Sequence, residues 1–288
     1  MPGGVLAEIL ALDPVKDYAR ISFLSTNCDF PWDVEQSLSL AFFKTYGIPG
    51  ISALLDRTGE FRERPQKRYD DTKLILAELL DSGLDSDRGR EANRRMNRMH
   101  GRYAITNDDY LYVLSTLVLE PIRWNRRWGW RRYTESETRA SLEYMREVAR
   151  RMNVHDVPQT VDALERWSAG YEHAQFRFTE SNRRVADQTL GLFVSWYPRP
   201  LRPLVRTAII SLLERPLRDA FGYPDPPPLL GGMIDIAMRA RAGILRVMPR
   251  RREPRLISRI PTRTYPRGHS VSELGVDGLE TEPAAPIR

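Results

Sequence analysis

The chain is poor in cysteine, lysine and histidine. Among its 288 residues there is one cysteine, Cys28, so no internal disulfide can form and no thiolate cluster can hold zinc or an iron–sulfur centre. Only four of the 44 basic residues are lysines, and the four histidines show no short metal-binding spacing such as His-Glu-x-x-His. These shortages exclude a disulfide scaffold and argue against a metal site built from neighbouring residues.

Long apolar runs are missing as well. No stretch of about 18 uninterrupted apolar residues is present, which is the length that a membrane-spanning helix needs. The first residues also lack the charged start and apolar centre of a signal peptide. We therefore expect a cytoplasmic protein without a transmembrane anchor, in keeping with its single cysteine.

Positive charge is concentrated near the C-terminal end. The net charge is +6, and residues 249–267 contain seven arginines against one acid, so this segment accounts for the excess. No internal repeat or Gly/Ser linker divides the rest of the chain. We predict one domain over residues 1–248 and a basic, proline-rich tail over residues 249–288 that is flexible or loosely docked.

Apolar periodicity and capping signals predict helices along most of this domain. The predicted helices cover residues 34–45, 71–81, 86–105, 109–119, 134–152, 160–178, 181–196, 203–220 and 229–247. Thr134 and Glu137 have the spacing of a capping box, and Pro121 is expected to end the helix before it. No run of alternating strand residues is present, so the predicted fold is a single all-α, multi-helix domain.

The most informative polar residue is His100. At helical spacing Met96, His100 and Tyr103 fall at i, i+4 and i+7, which places an imidazole in an apolar stripe. A buried neutral imidazole needs a hydrogen-bond partner or a metal ion for its ring nitrogens, and an apolar face with one free nitrogen suits a haem ligand. Periodicity alone leaves two interpretations open, a hydrogen-bonded core histidine and an iron ligand.

An arginine-rich stretch over residues 123–132 supports a different hypothesis. Three indoles lie among its five arginines, at Trp124, Trp128 and Trp130. Such a surface can stack on bases and neutralise phosphates. The alternative is a loop whose indoles pack inward while its arginines face solvent. If the indoles and arginines are exposed, the protein is a cofactor-free helical binding protein with an anionic partner. If the indoles pack inward, we expect no nucleic-acid partner.

The sequence around His100 resembles a known family of oxygenases. The resemblance extends from about residue 47 to 249 and is densest in residues 67–72, 94–103, 107–112, 120–124 and 129–131. The family includes the fungal MpaB-type oxygenases and the bacterial rubber oxygenases, or latex-clearing proteins. This chain is similar to the MpaB branch most of all.

The resemblance implies haem b, with His100 as the iron ligand. Met96 and Tyr103, its neighbours in the apolar stripe, are the further candidates for contact with the cofactor. The resemblance also implies that Arg68 and Thr72 lie next to the haem, where Arg68 can bind a propionate. In the rubber branch a lysine precedes this threonine, whereas here the position is Asp71, which becomes the candidate acid or base. The residues themselves leave other roles open. Arg68 can pair with Asp70 or Asp71 instead, and Thr72 can act as a local cap.

The reaction implied by the resemblance is dioxygen-dependent oxidation of a hydrophobic, isoprenoid-like substrate, with cleavage of a carbon–carbon double bond as the best-known outcome. An apolar pocket suits such a substrate. The candidates for its lining, each of which can equally be plain core, are Met96, Met99, Tyr103, Tyr110 and Leu114.

Overall fold

The computed structural model describes residues 4–249 and 253–276. Within these residues the chain forms fourteen α-helices and no β-strand, so the predicted all-α fold is confirmed. The helices are α1 (Val5–Ala11), α2 (Tyr18–Phe23), α3 (Pro31–Tyr46), α4 (Pro49–Thr58), α5 (Glu60–Glu63), α6 (Pro65–Ser82), α7 (Asp87–His100), α8 (Asn107–Trp128), α9 (Glu135–Arg151), α10 (Val161–Gln175), α11 (Glu180–Ser195), α12 (Arg202–Leu212), α13 (Arg215–Phe221) and α14 (Pro228–Val247).

Local capping explains where several helices begin. Thr134 and Glu137 form the predicted capping box at the start of α9, each side chain binding the other's backbone N–H. Side-chain oxygens of Ser86, Thr106 and Thr160 accept backbone N–H bonds at the starts of α7, α8 and α10. Prolines stand in the first turns of α3, α4 and α6, where a missing N–H removes no helical bond.

The structure corrects the prediction that Pro121 ends a helix. Helix α8 continues through Pro121 to Trp128. An internal proline costs about 3 kcal/mol, while burying one large aliphatic side chain contributes roughly 1.5–3 kcal/mol. Leu119, Ile122 and Trp124, on either side of the proline, are all buried. Their burial therefore outweighs the lost hydrogen bond. The structure also divides the single helix predicted over residues 203–220 into two, α12 and α13.

Helix α8 lies at the centre of the molecule, packed against α3, α9 and α10. On one side of it a large apolar cluster joins α6, α7, α8 and α9, with Leu74, Leu111 and Leu142 fully buried. A second cluster joins α3, α11 and α13 around Phe43 and Phe221. The two clusters enclose the helices that carry the candidate site residues.

Part of the predicted tail is packed on the helices. Residues 253–276, here called the C-terminal strap, lie across α6 and α7. Val271 and Leu274 are buried in the cluster between these helices. The backbone N–H of Ser258 donates to Asp81, and that of Thr264 donates to Asp70. The strap is therefore part of the folded domain, while residues 250–252 and 277–288 of the predicted tail lie outside the described residues.

No single helix within residues 4–249 and 253–276 combines the length and apolar character needed to cross a bilayer. Helices α3 and α4 meet the length and composition criteria only as a pair, and they are bent by 98° relative to each other. Much of α3 is buried inside the protein, as expected for core helices.

Candidate functional site

His100 is the last residue of α7, whose helical bonding ends at Gly101. The ring contacts Tyr110 edge to face, with 5.5 Å between centroids. Its Nδ1 atom is buried and has no hydrogen-bond partner among the described residues. A buried polar atom without a partner costs about 1–3 kcal/mol, so such an atom indicates a binding role more than a structural one.

The surroundings keep the imidazole of His100 neutral. Burial is the main cause and the positive charge of Arg68 the second, and together they lower the pKa of His100 to about 4. At neutral pH the ring therefore has a free lone pair. A metal ligand requires this state, because a protonated imidazole has no lone pair to donate.

A cavity of about 220 Å³ lies beside His100. Its lining combines the end of α7, the start of α8 and the turn after α9: Asn97, His100, Gly101, Ile105, Asn107, Tyr110, Met152, Asn153 and His155. Sites for drug-sized ligands usually measure about 300–1,000 Å³. The neutral ring of His100 has the chemistry of a metal ligand, but the cavity is smaller than this range, so a macrocycle fits beside His100 only if the surrounding side chains move.

Arg68 and Thr72 are one turn apart on α6 and bind each other, the guanidinium donating to Oγ1 of Thr72. The guanidinium also lies 5.3 Å from the ring centre of Phe61. Among the described residues no carboxylate pairs with Arg68, so neither Asp70 nor Asp71 takes the role left open by the sequence. This arginine keeps donors for an anion, and its charge acts on His100.

Asp71 faces away from this group. Its carboxylate forms an ion pair with Lys67 at 2.8 Å and accepts a 2.6 Å hydrogen bond from the hydroxyl of Tyr265, in the strap. Lys67 also donates to the carbonyl of Gly275. The structure thus gives Asp71 a part in holding the strap, and its candidate role as an acid or base gains no support from this placement.

The predicted stripe of Met96, His100 and Tyr103 is interrupted, because α7 ends at His100. Met96 is 8% exposed and packs in the core between α6 and α8. Tyr103 lies in the turn after the helix, where its N–H donates to the carbonyl of His100. Neither residue lines the cavity beside His100.

A second cavity, of about 170 Å³, lies between α3, α6, α8 and α9. Most of its lining is apolar, including Leu38, Phe42, Leu76, Leu80, Leu114, Leu117, Val118, Pro121, Met145 and Val148. The ion pair of Lys73 with Glu35 stands at its wall. We call it the apolar cavity. Of the lining residues suggested by the sequence, only Leu114 is here, while Tyr110 borders the cavity beside His100.

The other three histidines lie in different environments. His155 shares the cavity with His100, whereas His173 is exposed on α10. His269, in the strap, is buried and lies 3.0 Å from Glu78, which also binds Arg88. The described residues contain no group of three or more His, Cys, Asp or Glu side chains able to hold a metal ion. Sequence reasoning missed His155 because its approach to His100 depends on the packing of two distant turns.

The tryptophans of the arginine-rich stretch are not available for stacking. The indole N–H groups of Trp124 and Trp128 donate to Asp33 and Asp235, and both rings are buried. Trp130 donates to a backbone carbonyl. Arg131 is tied to Asp29 and Glu137. The indoles therefore pack inward, as the second interpretation has it, but residues 123–128 are the end of α8 and not a loop, and Arg131 does not face solvent. The hypothesis of an anion-binding arginine and tryptophan surface loses the exposed indoles that it requires.

Fold and site together define an all-helical protein with an apolar cavity and, next to a second cavity, a neutral histidine whose Nδ1 atom has no partner within the described part of the chain. The sequence pattern of the family described as "ER-bound oxygenase mpaB/B'/Rubber oxygenase, catalytic domain" matches residues 45–242. The chain belongs to this family.

Individual relatives agree with this assignment. The ER-bound oxygenase mpaB' of Penicillium brevicompactum is 27% identical over 238 residues, 76% of this chain and 56% of the relative. The mpaB of the same organism is 27% identical over 220 residues, 69% of this chain and 55% of the relative. The chain thus spans about half the length of these two proteins. Latex clearing protein in its closed state has a similar fold, with a TM-score of 0.56 and 16% identity over 82% of this chain and 68% of that protein.

Proposed function

We propose that this protein is a haem-dependent oxygenase that oxidises a hydrophobic substrate with dioxygen. The observation that carries the proposal is the buried Nδ1 atom of His100, which has no partner in residues 4–249 and 253–276, on a ring that is neutral at physiological pH. The oxygenase names of the family and of its fungal members support the reaction class.

The residues that would hold haem b are His100 as the iron ligand and Arg68 as a partner for a propionate. Arg68 suits this role because no described carboxylate occupies its guanidinium, and Arg–carboxylate pairs are strong, geometrically defined contacts. Thr72 orients Arg68 through their mutual hydrogen bond. Bound haem would supply redox chemistry with dioxygen.

The chain's own groups prepare this chemistry in three ways. The charge of Arg68 and the burial of His100 keep the imidazole unprotonated. Tyr110 packs against its ring and limits its rotation. Helix α8 borders both cavities, with Tyr110 at one and Leu114, a single turn later, at the other. A substrate in the apolar cavity would therefore lie close to the cofactor and away from bulk water.

A hydrophobic substrate follows from the aliphatic lining of the apolar cavity. Burying alkyl surface there favours binding by roughly 0.8 kcal/mol per CH₂ group. For an isoprenoid-like compound, the proposed outcome is cleavage of one carbon–carbon double bond, with one oxygen atom of dioxygen ending in each of two carbonyl fragments. This reaction balances without an external reductant.

Haem binding is tested by the visible spectrum of protein purified from iron-replete cells or reconstituted with haem. We expect a Soret band in the unmodified protein and in His173→Ala, because His173 is exposed on α10. The His100→Ala variant should lose this band while keeping its helical circular dichroism. An unchanged spectrum in folded His100→Ala, or no Soret band in the unmodified protein, contradicts the proposal.

The substrate site is tested separately by filling the apolar cavity. Leu117→Trp adds an indole to the cavity wall and should weaken binding of a long unsaturated hydrocarbon at least tenfold while leaving the Soret band intact. Ile209→Trp is the control, a partly buried aliphatic position on α12 outside this cavity. Equal substrate oxidation by the two variants would remove the apolar cavity from the proposal.

A further inference from the structure

Helix α14 exposes an apolar stripe over its whole length. Leu229, Met233, Ile236, Ile244 and Val247 follow helical spacing along one side, and each is between 59% and 84% exposed. Ala240 continues the row between Ile236 and Ile244 and is also exposed. At 1.5 Å per residue the stripe is about 27 Å long. Scattered apolar residues are ordinary on a protein surface, but a continuous row on one helix indicates an interaction surface.

The opposite side of α14 is fixed to the protein by polar contacts. The carboxylate of Asp235, the only acid of the helix, accepts hydrogen bonds from Trp128 and Arg127. Arg241 pairs with Asp33 and stacks 3.8 Å from the ring centre of Trp32. The inner side of α14 thus combines these polar groups with the buried Ala242, while the aliphatic residues of the stripe point outward.

The exposed charges on α14 are all positive. Arg239 and Arg246 are exposed beside the stripe, and Arg239 forms no ion pair with any described residue. An apolar helix face bordered by arginines matches the chemistry of an anionic membrane surface, where acyl chains take the aliphatic groups and headgroups take the guanidinium groups.

We propose that α14 is a membrane-docking helix that lies in the plane of an anionic lipid surface and holds this protein there. A second copy of the chain is a poorer occupant, because a symmetric pair would place Arg239 and Arg246 against arginines with no acid to pair them. The helix lies on the surface and does not cross it, in agreement with its failure as a single membrane span. This proposal does not rest on the haem or on the reaction.

The test is cosedimentation of the full chain with lipid vesicles. We expect binding to vesicles of phosphatidylcholine and phosphatidylglycerol in a ratio of about seven to three, weaker binding to pure phosphatidylcholine, and partial release by salt. The triple variant Met233→Ser, Ile236→Ser and Ile244→Ser should bind the anionic vesicles at least tenfold more weakly.

The matched control places serine at three exposed apolar positions elsewhere: Leu10, Val15 and Phe178. This control should bind vesicles like the unmodified chain, and both variants should keep the same circular dichroism. The proposal is overturned by vesicle binding that the α14 substitutions leave unchanged, or by an unmodified chain that binds neither lipid mixture. It is also overturned by sedimentation showing a dimer that the α14 variant dissociates, because the occupant is then a second copy.

Discussion

Single side chains in this protein acquire their chemistry from neighbours that are distant in sequence. His100 and Arg68 are 32 positions apart, yet the charge of one lowers the pKa of the other. Asp71 directly precedes Thr72, the partner of Arg68, yet belongs to a different network, because successive residues of a helix point about 100° apart. Adjacent residues of one motif can therefore act on His100 and on the strap independently.

This coupling predicts the effect of Arg68→Ala on the apoprotein. Loss of the guanidinium removes the second cause of the lowered pKa, so the pKa of His100 should rise above about 4. It should remain below the ordinary value of 6.5, because burial is the larger cause and is retained. NMR titration of the His100 ring protons measures the change. Arg94→Ala, exposed on α7, is the control, and equal titration curves for both variants would contradict the prediction.

Among the structural elements, the C-terminal strap shows how little composition says about packing. Its arginines and prolines are typical of an unstructured tail, yet Leu274 is fully buried and Val271 is 2% exposed. Residues of α6 hold it in place through Lys67, Asp70 and Asp71. The strap therefore ties together the helices that carry Arg68 and His100.

Leu274→Ala tests whether the strap contributes to folding. Removing a fully buried leucine side chain should lower the free energy of unfolding by about 2–5 kcal/mol. Ile260→Ala is the control, since Ile260 is an exposed strap residue and should change stability by less than about 0.5 kcal/mol. Urea denaturation followed by circular dichroism measures both. Equal midpoints would mean that the strap is only loosely attached.

At the scale of the whole molecule, buried carboxylates paired with arginines contribute to the stability of the fold. Burial raises the pKa of Glu78, but the hydrogen bonds and charge of Arg88 outweigh it and leave the pKa below the ordinary 4.5. Glu137 behaves in the same way, with burial opposed by Arg131. A carboxyl with a lowered folded-state pKa stabilises the protein above its unfolded pKa, and this contribution is lost as the pH falls through the folded value.

Stability should accordingly fall as the pH is lowered from about 5 toward 3, because the unfolded chain takes up protons first. Glu78→Gln should be less stable at pH 7, since it leaves Arg88 without its partner, and should show a shallower loss in acid. Glu135→Gln, an exposed position on α9, should follow the unmodified protein. Denaturant unfolding across this pH range gives the comparison, and parallel curves for Glu78→Gln and Glu135→Gln would refute the assignment.

The sequence by itself determined those features that local rules control. Apolar periodicity and capping residues located most helices, and the capping box at Thr134 formed as predicted. The motifs around His100 identified the family, and the range of the resemblance agrees with the family match over residues 45–242. These features could be predicted because each depends on residues within a few turns of one another.

Only the tertiary structure decided which side chains share a space. In the folded protein α7 ends at His100, α8 continues through Pro121, the strap is packed against α6 and α7, and the stripe of α14 is exposed. Each of these outcomes balances a local cost, such as a proline in a helix, against burial by elements far away in the chain. That balance depends on long-range packing, which no short stretch of sequence encodes.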